Sequence, residues 1–119
     1  MDDLTQQRIG QSVLDRKALH PRFAEHIKTY PSFLALEQKA FQDGVPDRKT
    51  KEWMALSISI VTKCEPCMEW HVQQALLNSA TDAEIHETID MSIEMGGGPA
   101  ATYSRFVFKA MDYHKSHHR

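Results

Sequence analysis

The sequence predicts an all-α protein, a compact bundle of about six to seven helices. Apolar residues recur at helical spacing along most of the chain, and proline, glycine or a capping pattern separates one such stretch from the next. Only residues 56–60 alternate apolar and polar side chains with a period of two. One short strand cannot build a sheet, so a thioredoxin-like α/β fold is disfavoured.

The N-terminal part carries three amphipathic patterns. Pro21 and Pro31 are expected to open the second and third helices, because proline is favoured in a first turn. The third helix is expected to end at Asp43-Gly44. In chain order, the apolar faces contain Leu4, Ile9 and Val13; Phe23, Ile27 and Tyr30; and Phe33, Leu34, Ala40 and Phe41.

The rest of the chain predicts four more helices. One opens at Pro46-Asp47 and is apolar on most sides over residues 51–61, as expected for a helix at the centre of a bundle. The next runs from near Pro66 to about Ser79. Residues 81–84 form a capping-box pattern ahead of a helix that should stop at the glycines 96–98. Pro99 is expected to begin the last helix.

Length, charge and composition restrict the function further. The chain has 119 residues, a net charge of −2 and no long basic run, so we expect one domain over residues 1–119 that does not bind nucleic acid. No apolar stretch is long enough for a signal peptide or a membrane span, which predicts a cytoplasmic protein without a membrane partner. The histidine-containing segment 114–119 is expected to be a frayed polar end.

Cys64 and Cys67 carry the strongest chemical signal. Two thiols separated by two residues at a helix start can close a small disulfide, and the helix N-terminus favours their thiolate forms. His71 lies four residues after Cys67, on the same helical face, where it can accept a proton. Two cysteines in a reducing compartment are more often catalytic or metal-binding than structural.

Glu52 is the candidate carboxylate partner of this histidine, and the sequence leaves two interpretations open. An acid in a first turn can simply be solvated and complement the helix dipole. Alternatively, it can orient the imidazole of His71 and complete a proton relay to the thiols. The residues alone favour the first interpretation.

The spacing E-x11-C-x2-C-x3-H from Glu52 through Cys64 and Cys67 to His71 resembles the core motif of alkylhydroperoxidase D-like proteins in the carboxymuconolactone decarboxylase family. The flanking segments 47–52 and 95–99 resemble that family as well. The similarity covers about residues 30–112, with the core motif region at 46–112. The decarboxylases that name the family lack the cysteine pair, so lactone decarboxylation is not expected.

The resemblance implies an alkylhydroperoxidase D-like helical fold and a peroxidase that reduces hydrogen peroxide or alkyl hydroperoxides without a cofactor or metal. Cys67 would attack the peroxide, Cys64 would resolve the resulting sulfenic acid, and Glu52 and His71 would relay protons. An external dithiol of the lipoyl or thioredoxin type would then reduce the disulfide. The resemblance also implies a homotrimer or homohexamer. Pro66 stands where the prototype peroxidase has a histidine, so one polar group near the thiols is missing.

Two other classes use the same residues. A thiol–disulfide oxidoreductase or redox-regulated protein would need the cysteines without peroxide reduction, and thioredoxin-type chemistry would make the first thiol the nucleophile. A metal-binding module could take the two cysteines, His71 and Glu52 as ligands, although structural zinc sites usually combine two separated ligand pairs. The remaining histidines His20, His26 and His86 are expected at the surface or in satisfied helix positions.

Overall fold

A computed structural model describes residues 3–117 as a bundle of helices joined by short turns. No strand occurs in this range, which confirms the predicted all-α fold class. None of the helices within it is long and apolar enough to cross a membrane. The helices are α1 (Asp3–His26), α2 (Tyr30–Ala40), α3 (Arg48–Val61), α4 (Glu65–Leu77), α5 (Asp82–Tyr103) and α6 (Arg105–His117).

The core lies where α3, α4, α5 and α6 meet. α3 packs against both α4 and α5, and α4 packs against α6. α1 packs against α6 and buries Ile9 and Val13, whereas α2 buries no residue completely. The buried apolar side chains that form one contacting cluster in this core are Leu56, Ile60, Met68, Val72, Ile85, Ile89, Ala100, Val107, Ala110 and Met111.

The predicted helix start at Pro21 is wrong, because Pro21 lies inside the continuous helix α1. A proline within a helix removes one hydrogen bond to the carbonyl four residues earlier, here that of Lys17. The side chains of residues 17–29 are exposed to solvent. Water can therefore reach the freed carbonyl, and the helix continues past the proline to His26.

The predicted break at the glycines and the predicted helix start at Pro99 are confirmed. Gly97 is non-helical, with φ 70° and ψ −152°, so α5 consists of two helices joined by a kink, and the second begins after Gly97 with Pro99 in its first turn. That second helix is interrupted at Ser104, whose hydroxyl donates to the Ala101 carbonyl at 2.9 Å. Such bonding of a serine to its own backbone competes with regular helical hydrogen bonds.

Two capped ends without glycine set the orientation of α4. At the end of α3, the N–H of Lys63 bonds the Ile60 carbonyl and the N–H of Cys64 bonds the Ser59 carbonyl. This is a Schellman motif, and Lys63 supplies its left-handed residue with φ 62°. Ser79 with φ 68° plays the same part after α4. The first motif places Cys64 at the N-cap of α4.

Candidate active site

The two cysteines lie at the start of α4 and are joined by a disulfide. Their Cα atoms are 5.2 Å apart, and both residues are partly buried. Cys64 is the N-cap residue, and its sulfur accepts a hydrogen bond of 3.3 Å from the backbone N–H of Cys67. Pro66 occupies the first turn, where its missing N–H costs nothing. The helix N-terminus therefore directs the backbone N–H of Cys67 at the sulfur of Cys64.

Glu52 and His71 are in direct contact. Oε1 of Glu52 lies 2.8 Å from Nδ1 of His71, and the Glu52 side chain is only 1% exposed. Oε2 of the same carboxylate accepts a 2.7 Å hydrogen bond from Nε of Arg48, one helical turn earlier on α3. The interpretation of Glu52 as a solvated first-turn residue is therefore wrong.

The paired carboxylate also fixes the state of the imidazole. A carboxylate that balances the Arg48 guanidinium can only accept hydrogen bonds, so Nδ1 of His71 carries a hydrogen and donates a hydrogen bond to Glu52. Nε2 is then the ring nitrogen that remains to act on a thiol. Because His71 follows Cys67 by one helical turn, both side chains project from the same face of α4.

Phe41 completes this side of the site and was missed in the sequence. Its ring stacks on the His71 imidazole with centroids 5.5 Å apart, and the Arg48 guanidinium lies 5.4 Å from the ring centroid. Phe41, Arg48, Glu52 and Trp70 line a cavity of about 460 Å³, which we call the Glu52 cavity. Phe41 follows the last residue of α2, and its apolar spacing alone indicated only packing.

A second buried glutamate, Glu69, lies on α4, the helix that carries Cys67 and His71. Glu69 is 2% exposed, and its Oε2 atom lies 2.9 Å from Nε2 of His114 on α6 and 3.2 Å from the Arg16 guanidinium on α1. Arg16 also donates to Gln73 and stacks over Trp70. These contacts link α1 and α6 to α4. The expectation of a frayed end is wrong for His114, which is buried within α6; residues 118–119 lie outside the described range.

Other titratable groups lie outside these clusters. His20, His26 and His86 are exposed, as expected, and His20 bonds the Tyr30 hydroxyl at 2.6 Å. Among residues 3–117, no group of three or more histidine, cysteine, aspartate or glutamate side chains has a metal-binding arrangement. While the disulfide is closed, neither cysteine can supply a thiolate ligand.

Comparison with protein-family models matches residues 28–110 to the carboxymuconolactone decarboxylase family. Among curated proteins, the "Uncharacterized protein 4 in cox locus" of Paracoccus denitrificans is 36% identical over 81 residues, which cover 68% of this chain and 73% of that protein. An uncharacterised protein of Cupriavidus necator is 35% identical over 82 residues, covering 69% and 70%.

Solved structures give the same family. The protein lpg0406 of Legionella pneumophila, a member of this family, has a TM-score of 0.83 and 30% sequence identity, with coverage of 88% of this chain and 95% of that one. The family member TM1620 of Thermotoga maritima, whose description suggests a part in an antioxidative response, has a TM-score of 0.81 and 25% identity, covering 89% and 91%.

Proposed function

We propose that this chain, which belongs to the carboxymuconolactone decarboxylase family, is a thiol-dependent peroxidase for hydrogen peroxide and alkyl hydroperoxides. The observation that carries the proposal is the buried 2.8 Å contact between Glu52 and His71, one helical turn from a cysteine pair that closes a disulfide. Burying a charged carboxylate is costly unless it is paired, and here it is paired with the imidazole and Arg48. A relay for proton transfer explains this arrangement.

In the first step, Nε2 of His71 takes the proton of the Cys67 thiol, and Glu52 stabilises the imidazolium that forms. The thiolate attacks the outer peroxide oxygen, and the O–O bond breaks. The leaving alkoxide takes the proton from His71 and departs as the alcohol, or as water when the substrate is hydrogen peroxide. Cys67 is thereby oxidised to a sulfenic acid.

In the second step, the Cys64 thiolate attacks the sulfenic sulfur, the disulfide forms, and hydroxide leaves as water with the proton of Cys64. The N–H of Cys67, 3.3 Å from this sulfur, supports negative charge on Cys64. An external dithiol of the lipoyl or thioredoxin type then supplies two electrons and two protons and becomes a disulfide itself. We place this cycle in the reducing cytoplasm, where such dithiols are maintained.

A thiol–disulfide oxidoreductase is the second candidate, and the N-cap position of Cys64 favours it. A thiolate stabilised by the first turn of a helix is a good nucleophile or leaving group in disulfide exchange. In that reaction Cys64 attacks the disulfide of another protein. The two candidates therefore differ in which cysteine reacts first and in whether peroxide is consumed.

The test follows peroxide consumption with a dithiol donor in the native protein and in the Cys64→Ser and Cys67→Ser variants. We expect turnover in the native protein only. After treatment with peroxide, dimedone should label Cys67 in the Cys64→Ser variant, because the sulfenic acid forms but cannot be resolved. Labelling of Cys64 in the Cys67→Ser variant alone would reverse the assignment. Disulfide exchange without peroxide consumption would support the second candidate.

We also propose that the protein is a homotrimer or homohexamer. Apolar side chains on α3 and α5 are more than half exposed, and monomeric proteins rarely expose large contiguous apolar patches. The large apolar residues on these two helices that are more than half exposed are Met54, Ile58, Met91 and Met95. Association of copies through this surface would remove it from water.

A further inference from the structure

A second cavity, which we call the apolar groove, lies between α1, α2 and α4. Its walls include Lys17 and His20 of α1, Phe33 and Leu34 of α2, and Trp70 of α4. The volume is about 550 Å³, within the usual range for sites that bind small organic ligands. Most of the surface lining the groove is apolar, so a ligand there must have a substantial hydrocarbon part.

The apolar groove adjoins the Glu52 cavity. Trp70 and Glu37 line both spaces, whereas Lys17 and His20 line only the groove. A ligand lying along the groove therefore has one end next to the wall shared with the Glu52 cavity and the other next to Lys17 and His20. This continuity connects hydrocarbon binding to the cavity that the relay residue Glu52 lines.

The charged residues make the two ends of the apolar groove differ in how well they accept an anionic group. Arg16, which also borders the groove, is already balanced by Glu69. Lys17 forms no ion pair with an acid within residues 3–117, so its positive charge is available. Glu37 at the shared end repels an anion, whereas the charge of Glu52 is balanced by Arg48. A ligand carboxylate is thus favoured at the Lys17 end and disfavoured at the end nearest the relay.

We propose that the apolar groove binds the hydrocarbon chain of a fatty-acid hydroperoxide, with the carboxylate near Lys17 and the peroxide group directed past Trp70 to the Glu52 cavity. The proposal rests on the peroxidase function above and assigns it a substrate class. The reaction is the one already described, with the hydroxy fatty acid as the alcohol product.

The kinetic test fills the groove and leaves the relay unchanged. Leu34→Trp places a larger side chain in the groove, and Leu36→Trp is the control, because Leu36 is exposed on the same helix and does not line the groove. Blocking even two methylene groups of the substrate should lower kcat/KM for linoleic acid hydroperoxide by about tenfold or more. Turnover of hydrogen peroxide should not change. An equal effect of the two variants, or an equal loss for both peroxides, would overturn the proposal.

A binding test is independent of peroxidase activity. Trp53→Phe leaves Trp70 as the sole tryptophan, and the probe is the hydroxy acid obtained by reducing linoleic acid hydroperoxide, kept below its micelle concentration. We expect saturable quenching of Trp70, weakened by adding Leu34→Phe, which enlarges this side chain without a second tryptophan, and weakened also in Lys17→Gln. Quenching without saturation would reject the groove as a ligand site, even if hydrogen peroxide is reduced. Loss of the oligomer in Leu34→Trp, seen by light scattering, would instead identify the groove as a contact between copies.

Discussion

Replacing Glu52 by glutamine tests the relay most directly, because it removes the charge and keeps the shape of a side chain that is 1% exposed. The native carboxylate makes two charge-assisted hydrogen bonds, one to His71 and one to Arg48. Such bonds contribute roughly 1.5–3 kcal/mol each, but Arg48 is 37% exposed and regains water. We therefore expect the free energy of unfolding to fall by about 2 kcal/mol, which corresponds to roughly 6–10 °C in Tm.

The effect of Glu52→Gln on the Cys67 thiol distinguishes a proton relay from a merely structural role of Glu52. Without the carboxylate, the imidazolium of His71 loses one charge-assisted bond, so the thiolate–imidazolium pair forms only at higher pH. A loss of roughly 1.5–3 kcal/mol corresponds to about one to two pH units. The alkylation rate of Cys67 near neutral pH should therefore fall about tenfold or more.

The assay measures iodoacetamide alkylation of reduced protein across pH, in a Cys64→Ser background so that only Cys67 reacts. Glu69→Gln is the matched control, because Glu69 is equally buried and also contacts one histidine and one arginine. It should cost similar stability without moving the alkylation profile. Identical profiles for the Glu52→Gln and parent proteins would remove Glu52 from the site, and an equal shift in Glu69→Gln would mean that the effect is merely structural.

Three further predictions concern stability and assembly. Lys63→Gly and Ser79→Gly should each raise the free energy of unfolding by roughly 0.5–1 kcal/mol in urea denaturation, because both positions have a left-handed φ; a loss of stability would contradict the cap assignment. Ile58→Glu should reduce the mass measured by light scattering, and an unchanged mass would exclude this face as the interface. The pKa of Asp47 is lowered by its hydrogen bond from the backbone N–H of Thr50, so its contribution to stability is present above its unfolded pKa and lost as the pH falls through the folded one. Asp47→Asn should therefore flatten the acid limb of a Tm-against-pH curve, and an unchanged limb would refute this.

The sequence predicted the contacts that depend on local spacing. The capping box is present as expected, with Thr81 and Glu84 exchanging hydrogen bonds at 2.8 and 3.1 Å. The pairing of Glu52 with His71 was one of two interpretations that the sequence left open, and in the structure one tight turn joins the two helices that carry these residues. The resemblance to a known motif was needed to prefer this pairing, since the local pattern alone favoured a solvated glutamate.

The errors came from places where solvent or unusual backbone decides the outcome. Pro21 did not begin a helix, because an exposed carbonyl can do without its helical donor. The Schellman motifs carry Lys63 and Ser79 at the position where glycine is the usual signal. Lysine has no preference for a left-handed backbone, so the sequence did not indicate the turn at Lys63. This turn nevertheless sets the position of Cys64.

The cluster around Glu69 could not be inferred, because its partners Arg16 and His114 are 53 and 45 residues away in the chain. Glu69 and Glu52 each contact one histidine and one arginine, so residue types do not distinguish a proton relay from a structural cluster. The positions around helix α4 do distinguish them. His71 follows Cys67 by four residues and shares its face, whereas Glu69 follows by two and is rotated by about 200° around α4. The Glu69 cluster therefore faces α1 and α6, whereas His71 of the Glu52 cluster lies on the same face of α4 as Cys67, which is the placement that the proposed proton relay requires.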